Sequence, residues 1–139
     1  MKIALKHSVV PNLSVEAAVM LGWVRAMWDC WYKYLDVRSG TSQPDSLGDF
    51  VVTSAKDGTH MPGSDHKQDE PADIPGNAID IRTRHLFDVT TGAHQPALIE
   101  FAKYLQSRGA KVVVHPDWVP GTPHLHVALG KESLFRRVD

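Results

Sequence analysis

The sequence holds one cysteine, Cys30, and a single thiol excludes any intrachain disulfide framework. Tryptophans surround it, so a buried thiol is expected rather than a nucleophile. There is no basic excess either: 15 Lys and Arg against 16 Asp and Glu leave a formal charge of -1. Without a Lys/Arg-dense run the chain lacks the electrostatic footprint of a nucleic-acid binder. Long apolar runs are missing as well. The longest stretch, Ser14 to Leu35, is broken by Glu16, Arg25, Asp29 and Lys33, which argues against membrane insertion. Met1 to Val10 carries Lys2, Lys6 and His7 and never builds the continuous apolar core of a secretion signal, so synthesis in the cytoplasm without a leader is expected. No internal repeat or low-complexity segment is present, and a chain of 139 residues suits a single domain with a sizeable core.

The apolar periodicity predicts two helices. Ser14 is placed to cap the first, with Glu16 near its positive end; Leu21, Val24, Trp28, Trp31 and Leu35 recur at three- and four-residue steps and mark a buried stripe. The second runs from about Pro96 to Gly109, with Leu98, Phe101, Ala102 and Leu105 facing inward. Phe50 to Thr53, Ala78 to Arg82, Lys111 to His115 and the segment around His124 to Leu129 read as strands. Val37 to Gly48, Gly58 to Pro75 and Thr83 to Gln95 read as loops, the last two flanking Asp80 where substrate contacts are expected. The order helix, strands, helix, strands predicts an α+β domain with a small, mainly antiparallel sheet.

Three fragments carry the chemistry: Ser64-Asp65-His66, Gly76-Asn77-Ala78-Ile79-Asp80, and His124-Leu125-His126. Together they offer imidazoles and a carboxylate, a set that can hold a catalytic zinc with its fourth position left to water. Strand alternation puts Asp80 and Arg82 on one face, and His124 and His126 on one face. Two neighbouring strands could therefore aim Asp80 and His126 at one point, with His66 arriving from the loop before.

These residues resemble the D-alanyl-D-alanine metallopeptidases, which include VanY-like carboxypeptidases and phage endolysin peptidases, and the related amino-terminal signalling domain of hedgehog proteins. The family pattern is SxHxxGxAxD followed by a strand carrying HxH. Ser64, His66, Gly76, Ala78 and Asp80 match the first part, His124 and His126 the second, and Asp57-Gly58-Thr59-His60 is similar to the segment that precedes the motif in the hedgehog-like branch. The resemblance covers about residues 50 to 130. It implies a hedgehog/peptidase-like fold, one zinc per chain on His66, Asp80 and His126, and hydrolysis of peptidoglycan stem peptides, as a D-Ala-D-Ala carboxypeptidase or an L-Ala-D-Glu-type endopeptidase. Action on the cell wall would then follow release of the protein from the cell that makes it, as in phage lysis.

The chain departs from that pattern twice. Nine residues, Lys67 to Pro75, stand where the family usually has two between the histidine and the glycine; their Asp, Glu and Pro content suits a solvent loop. His60 lacks the family spacing, because Lys67 rather than an acid lies seven residues on. The resemblance also implies a glutamate just before the final histidine as general base, and there is none between Glu100 and Glu132. Asp117 is the only acid there, with His115 the competing base. His124 and His60 could donate to an oxyanion or steady a ligand, and Lys56 and Arg82 could grip a substrate carboxylate. A zinc-containing binding domain without turnover, or a structural protein of a virus particle, are the other readings.

Overall fold

Ser14 opens the first helix as expected. Its side chain accepts a hydrogen bond from the Ala17 amide at 3.1 Å, satisfying one of the amides that a helix start leaves unpaired. Helix α1 runs Val15–Cys30. Ser14→Ala is expected to lower stability by about 1 kcal/mol, measured by urea denaturation; an unchanged midpoint would show that the cap contributes nothing. The computed structural model describes residues 3–6, 9, 12–31, 47–55, 64–67, 70–71, 76–116 and 122–130.

The buried line of α1 is Ala17, Met20, Val24 and Trp28, continued by Trp31. Leu21, expected on this stripe, sits at its half-buried margin, because the helix is turned so that Met20 rather than Leu21 points at the sheet. Leu35 lies outside the described residues. Trp28 meets Phe50 and Phe101 edge-on at centroid distances of 5.4 and 5.5 Å, the arrangement that ring quadrupoles favour. Its indole N–H donates to the Gly48 carbonyl, and that of Trp31 to Ala97, so neither polar tip is left unsatisfied in the core. Cys30 is half-buried and reduced.

The strands are β1 Ala4–Leu5, β2 Val51–Ser54, β3 Ala78–Arg82, β4 Phe87–Asp88, β5 Ala93–His94, β6 Lys111–His115 and β7 His124–Ala128. Five of them form one sheet in the order β1-β2-β3-β7-β6. Every pairing in it is antiparallel except that of β1 with β2. The edge strand β1 is a parallel addition that the periodicity does not reveal, because two residues are too few to alternate. Helix α2, Pro96–Ser107, ends before Gly109, whose φ of +100° is a conformation that glycine adopts without strain. Leu98, Phe101, Ala102 and Leu105 are all buried as predicted.

Alternation splits the sheet into two faces. Val52, Ile79, Ile81, Val112, Leu125 and Val127 join both helices in one apolar core. The intervening residues, Asp80, Arg82, His124 and His126, stand on the other face. Thr83 to Gln95, expected as a loop, contains a short helical turn, Arg84–Leu86, and the β4–β5 hairpin. Asp88 stabilises the hairpin turn by accepting from the Thr90 amide at 2.8 Å. Buried Thr83 shares a 2.7 Å hydrogen bond with His94 and so pins the hairpin to the end of β3. The architecture of the described residues is therefore α+β, with two α-helices and a mainly antiparallel mixed sheet. Among the described residues no helix is long and apolar enough to cross a membrane.

Candidate metal centre

Cross-strand register does the first part of the assembly. Asp80 lies directly opposite His126, and Arg82 opposite His124, in the β3–β7 ladder. Opposed side chains on one face have Cβ atoms about 5 Å apart, close enough for a carboxylate and an imidazole to meet. Asp80 Oδ1 is 3.0 Å from His126 Nδ1.

His66 comes from a turn outside the sheet, and glycine places that turn. The Gly76 amide donates to the Asn12 carbonyl at 2.9 Å and the Asn77 amide to the Asp65 carbonyl at 2.9 Å. These bonds hold the His66 backbone against residue 76, where a Cβ would lie 2.7 Å from the His66 carbonyl oxygen. Only a residue without a Cβ permits that approach. His66 is then directed inward, with Nδ1 against the Ala55 carbonyl and Nε2 at 3.1 Å from Asp80 Oδ1 and 3.2 Å from His126 Nδ1.

Three side-chain atoms thus form a nearly equilateral triangle with edges of 3.0, 3.1 and 3.2 Å. Ligands held 2.0–2.1 Å from a tetrahedral ion are about 3.3 Å apart, so the triangle has nearly the size of one tetrahedral face. The protonation pattern points the same way. The Ala55 carbonyl requires a hydrogen on His66 Nδ1, which leaves Nε2 of a neutral ring with a lone pair. In that tautomer the lone pair faces a carboxylate oxygen, an arrangement that a proton on a ring nitrogen or a bound cation would stabilise. His66 and Asp80 are only 1 % and 6 % exposed. The buried His66, Asp80 and half-buried His126 can hold a metal ion.

Burial works to raise the Asp80 carboxyl, yet hydrogen bonding from His126 and His66 and the nearby imidazole charges hold it well below the ordinary carboxylate range. An aspartate kept ionised in this way is ready to act as a ligand. Asp65, beside His66 in sequence, adds a further element. Its Oδ2 lies 3.6 Å from His126 Nε2 and 2.6 Å from Lys111 Nζ at the edge of the sheet. Burial opposes ionisation of Asp65 too, but Lys111, helped by His126, holds it below the usual range. A carboxylate at the remote nitrogen of a ligating imidazole fixes its tautomer and orientation. Asp65→Asn is expected to weaken metal binding about 10-fold, measured by competition with a chromophoric chelator. Wild-type affinity in that variant would show that His126 is oriented by its strand alone.

His124 stands beside the centre, its Nε2 3.9 Å from Asp80 Oδ2. Its Nδ1–H donates to the Thr122 carbonyl at 2.7 Å, leaving Nε2 on the side of the candidate ligands. His115, opposite it in the β6–β7 ladder, stacks on its ring at 4.5 Å. Of the other residues singled out by sequence, Arg82 lines a cavity next to Asp80 and His124, whereas Lys56, His60 and Asp117 lie outside the described residues. Sequence reasoning missed Asp65, Lys111 and the Ala55 carbonyl. Adjacency to His66 could have flagged Asp65; no sequence signal marks Lys111, 46 residues away.

The chain matches no family model, no curated protein and no solved structure. What the protein does must therefore be read from these side chains: two imidazoles and one carboxylate, brought together as a set that can bind a metal ion.

Proposed function

We propose that the chain is a zinc-dependent peptidase that hydrolyses stem-peptide bonds of peptidoglycan, either D-Ala-D-Ala or an internal bond of the L-Ala-D-Glu type. The observation that carries metal-assisted hydrolysis is the convergence of His66 Nε2, Asp80 Oδ1 and His126 Nδ1 on one point. A mixed nitrogen and oxygen set of three protein ligands suits zinc and matches the composition of hydrolytic rather than purely structural sites. The substrate class comes from the resemblance of Ser64, His66, Gly76, Ala78, Asp80, His124 and His126 to the SxHxxGxAxD and HxH pattern. When bound, the ion supplies a Lewis acid for the scissile carbonyl and lowers the pKa of water toward about 7.

The protein's own groups supply the rest. Hydrolysis adds the oxygen of water to the acyl carbon and sends a proton to the leaving nitrogen, so one side chain must take a proton and return it. Asp117 and His115 are the candidates for that task. His124, whose Nε2 lies 3.9 Å from Asp80 Oδ2, is the candidate to donate to the substrate carbonyl oxygen as charge develops on it, a role that requires a proton on Nε2 as well as the one that Nδ1 donates to Thr122.

A zinc-containing binding domain without turnover is the second reading, favoured by the lack of a glutamate between Glu100 and Glu132. Metal content of the purified protein, followed on the same sample by release of new amino groups from peptidoglycan, tests both. One zinc per chain with cleavage supports the peptidase. Zinc without cleavage supports the binding domain, and absence of any bound metal overturns both.

A further inference from the structure

Between α1 and the start of β2 lies a second cavity, of about 460 Å³, a size within the roughly 300–1,000 Å³ usual for small-molecule sites. It shares no lining residue with the metal centre or with the cavity beside Asp80 and His124. Its walls include Arg25 and Asp29 of α1, Asp49 and Phe50 of the segment leading into β2, and the sheet edge at Ala4 and Val51. That segment is fixed from two directions. The Gly48 carbonyl accepts from the Trp28 indole at 2.8 Å, and the Leu47 carbonyl accepts from His85 Nε2 at 2.7 Å. Asp49 is therefore carried by anchored backbone, which lowers the ordering cost of binding.

Arg25 is the group that this cavity leaves unsatisfied. Its guanidinium carbon lies 5.2 Å from the centroid of the Phe50 ring, and its Nη1 donates to Asp29 Oδ1. Among the described residues, Arg25 Nε is the one buried side-chain nitrogen or oxygen without a hydrogen-bond partner, a condition that costs free energy and asks for an acceptor. Nε–H and the neighbouring Nη2 form one of the planar donor forks of a guanidinium, the shape that matches a carboxylate. The same wall carries two acids. Asp29 is 42 % exposed beyond its bond to Arg25, and exposed Asp49 forms no ion pair among the described residues. A plain anion meets a wall with one more negative than positive charge, and a plain cation meets the guanidinium. A small molecule bearing both charges satisfies each group.

We propose that this cavity binds a free α-amino acid as its zwitterion, with the carboxylate on the Nε and Nη2 fork of Arg25 and the ammonium between Asp29 and Asp49. The proposal stands apart from the peptidase reading, since it uses neither the metal ligands nor the residues beside them.

The test is a proton–nitrogen correlation NMR titration of the full chain. The probes are D-alanine and L-alanine, with N-acetylalanine, which lacks the ammonium, and alaninamide, which lacks the carboxylate. At least one hand of alanine is expected to bind about 10-fold or more tighter than both derivatives, because hydrogen bonds between charged groups are the stronger class. Its binding should move the Arg25 Nε–H signal and the Gly48 and Asp49 amides, and leave the His124 and His126 amides in place. Preference for the D form identifies a wall-derived amino acid as the source, and preference for the L form an ordinary metabolic one. Asp49→Asn changes an exposed, unpaired side chain and should fold normally; it is expected to remove most of the preference over N-acetylalanine and keep that over alaninamide. Arg25→Lys, which keeps the charge and loses the fork, should remove most of the preference over alaninamide. Equal affinity for alanine and its derivatives would overturn the proposal, as would an Nε–H signal that stays still on addition of alanine, shifts confined to His124 and His126, or the full preference retained in Asp49→Asn. Acetate binding as tightly as alanine would overturn it in favour of a simple anion site.

Discussion

His66→Ala, Asp80→Ala and His126→Ala are each expected to lose the metal ion, with affinity falling by more than about 100-fold. Changes to groups that merely support a ligand already cost 10- to 100-fold, and removing one of three protein ligands leaves too few to hold the ion. The three variants should behave alike, because the triangle has three nearly equal edges, 3.0, 3.1 and 3.2 Å. Metal content after dialysis against a weak chelator is the measurement. Full retention in any one variant would remove that residue from the ligand set. Thermal unfolding gives a second view. An ion present at 100 times its Kd stabilises the folded chain by about 2.7 kcal/mol, so zinc should raise the wild-type melting temperature by roughly 10 °C and leave the three variants almost unmoved. A wild-type chain indifferent to zinc would count against the centre.

Gly76→Ala is expected to be the most damaging substitution that touches no ligand side chain. The added Cβ would sit 2.7 Å from the His66 carbonyl oxygen, with the Asn12 carbonyl oxygen 3.5 Å away on another side. Both neighbours are backbone. The Asn12 carbonyl accepts from the Gly76 amide, the Asn77 amide donates to Asp65, and the Ser14 amide donates to the Gly76 carbonyl at 3.0 Å. Relief therefore has to come from the His66 turn or from the start of α1, and neither can yield without straining hydrogen bonds. A displacement of a few tenths of an ångström at His66 exceeds the about 0.2 Å tolerance of a metal–ligand bond. We expect about 1–3 kcal/mol of lost stability from the crowding and about 10-fold or more weaker metal binding. Gly22→Ala is the control of opposite sign. Gly22 lies inside α1 with no atom within 4 Å of an added Cβ, so alanine there should stabilise by roughly 0.5–1 kcal/mol. Urea denaturation of the two variants, with chelator competition for the first, checks both. A Gly76→Ala protein with wild-type metal affinity would show that the close approach to His66 is dispensable.

Lys6 and Arg84, which line the same cavity as Arg82, illustrate where the sequence falls silent. Arg82 could be picked out because it shares a strand face with Asp80, a relation that depends only on alternation within five residues, Ala78–Arg82. Lys6 is brought to the same cavity by β1, a two-residue parallel edge strand. Nothing in a pair of residues foretells which strand they will join. Arg84 depends on a turn where an irregular loop was expected.

The sequence by itself determined the α+β class, both helices, the strand limits of β3 and β6, and the sharing of one face by Asp80 with Arg82 and by His124 with His126. All of these follow from local periodicity, caps and stops, which act within a few residues. Only the tertiary structure decided that β3 and β7 are neighbours, with Asp80 opposite His126 and Arg82 opposite His124, because register between distant strands is set by the packing of Ile79, Ile81, Leu125 and Val127 against the helices. It also decided the atoms of the centre. The Ala55 carbonyl selects Nε2 of His66, the register presents Nδ1 of His126, and Asp65 anchored by Lys111 faces the other side of that ring. A tautomer is chosen by whatever polar group the fold brings to the other ring nitrogen, and that partner can lie anywhere in the chain.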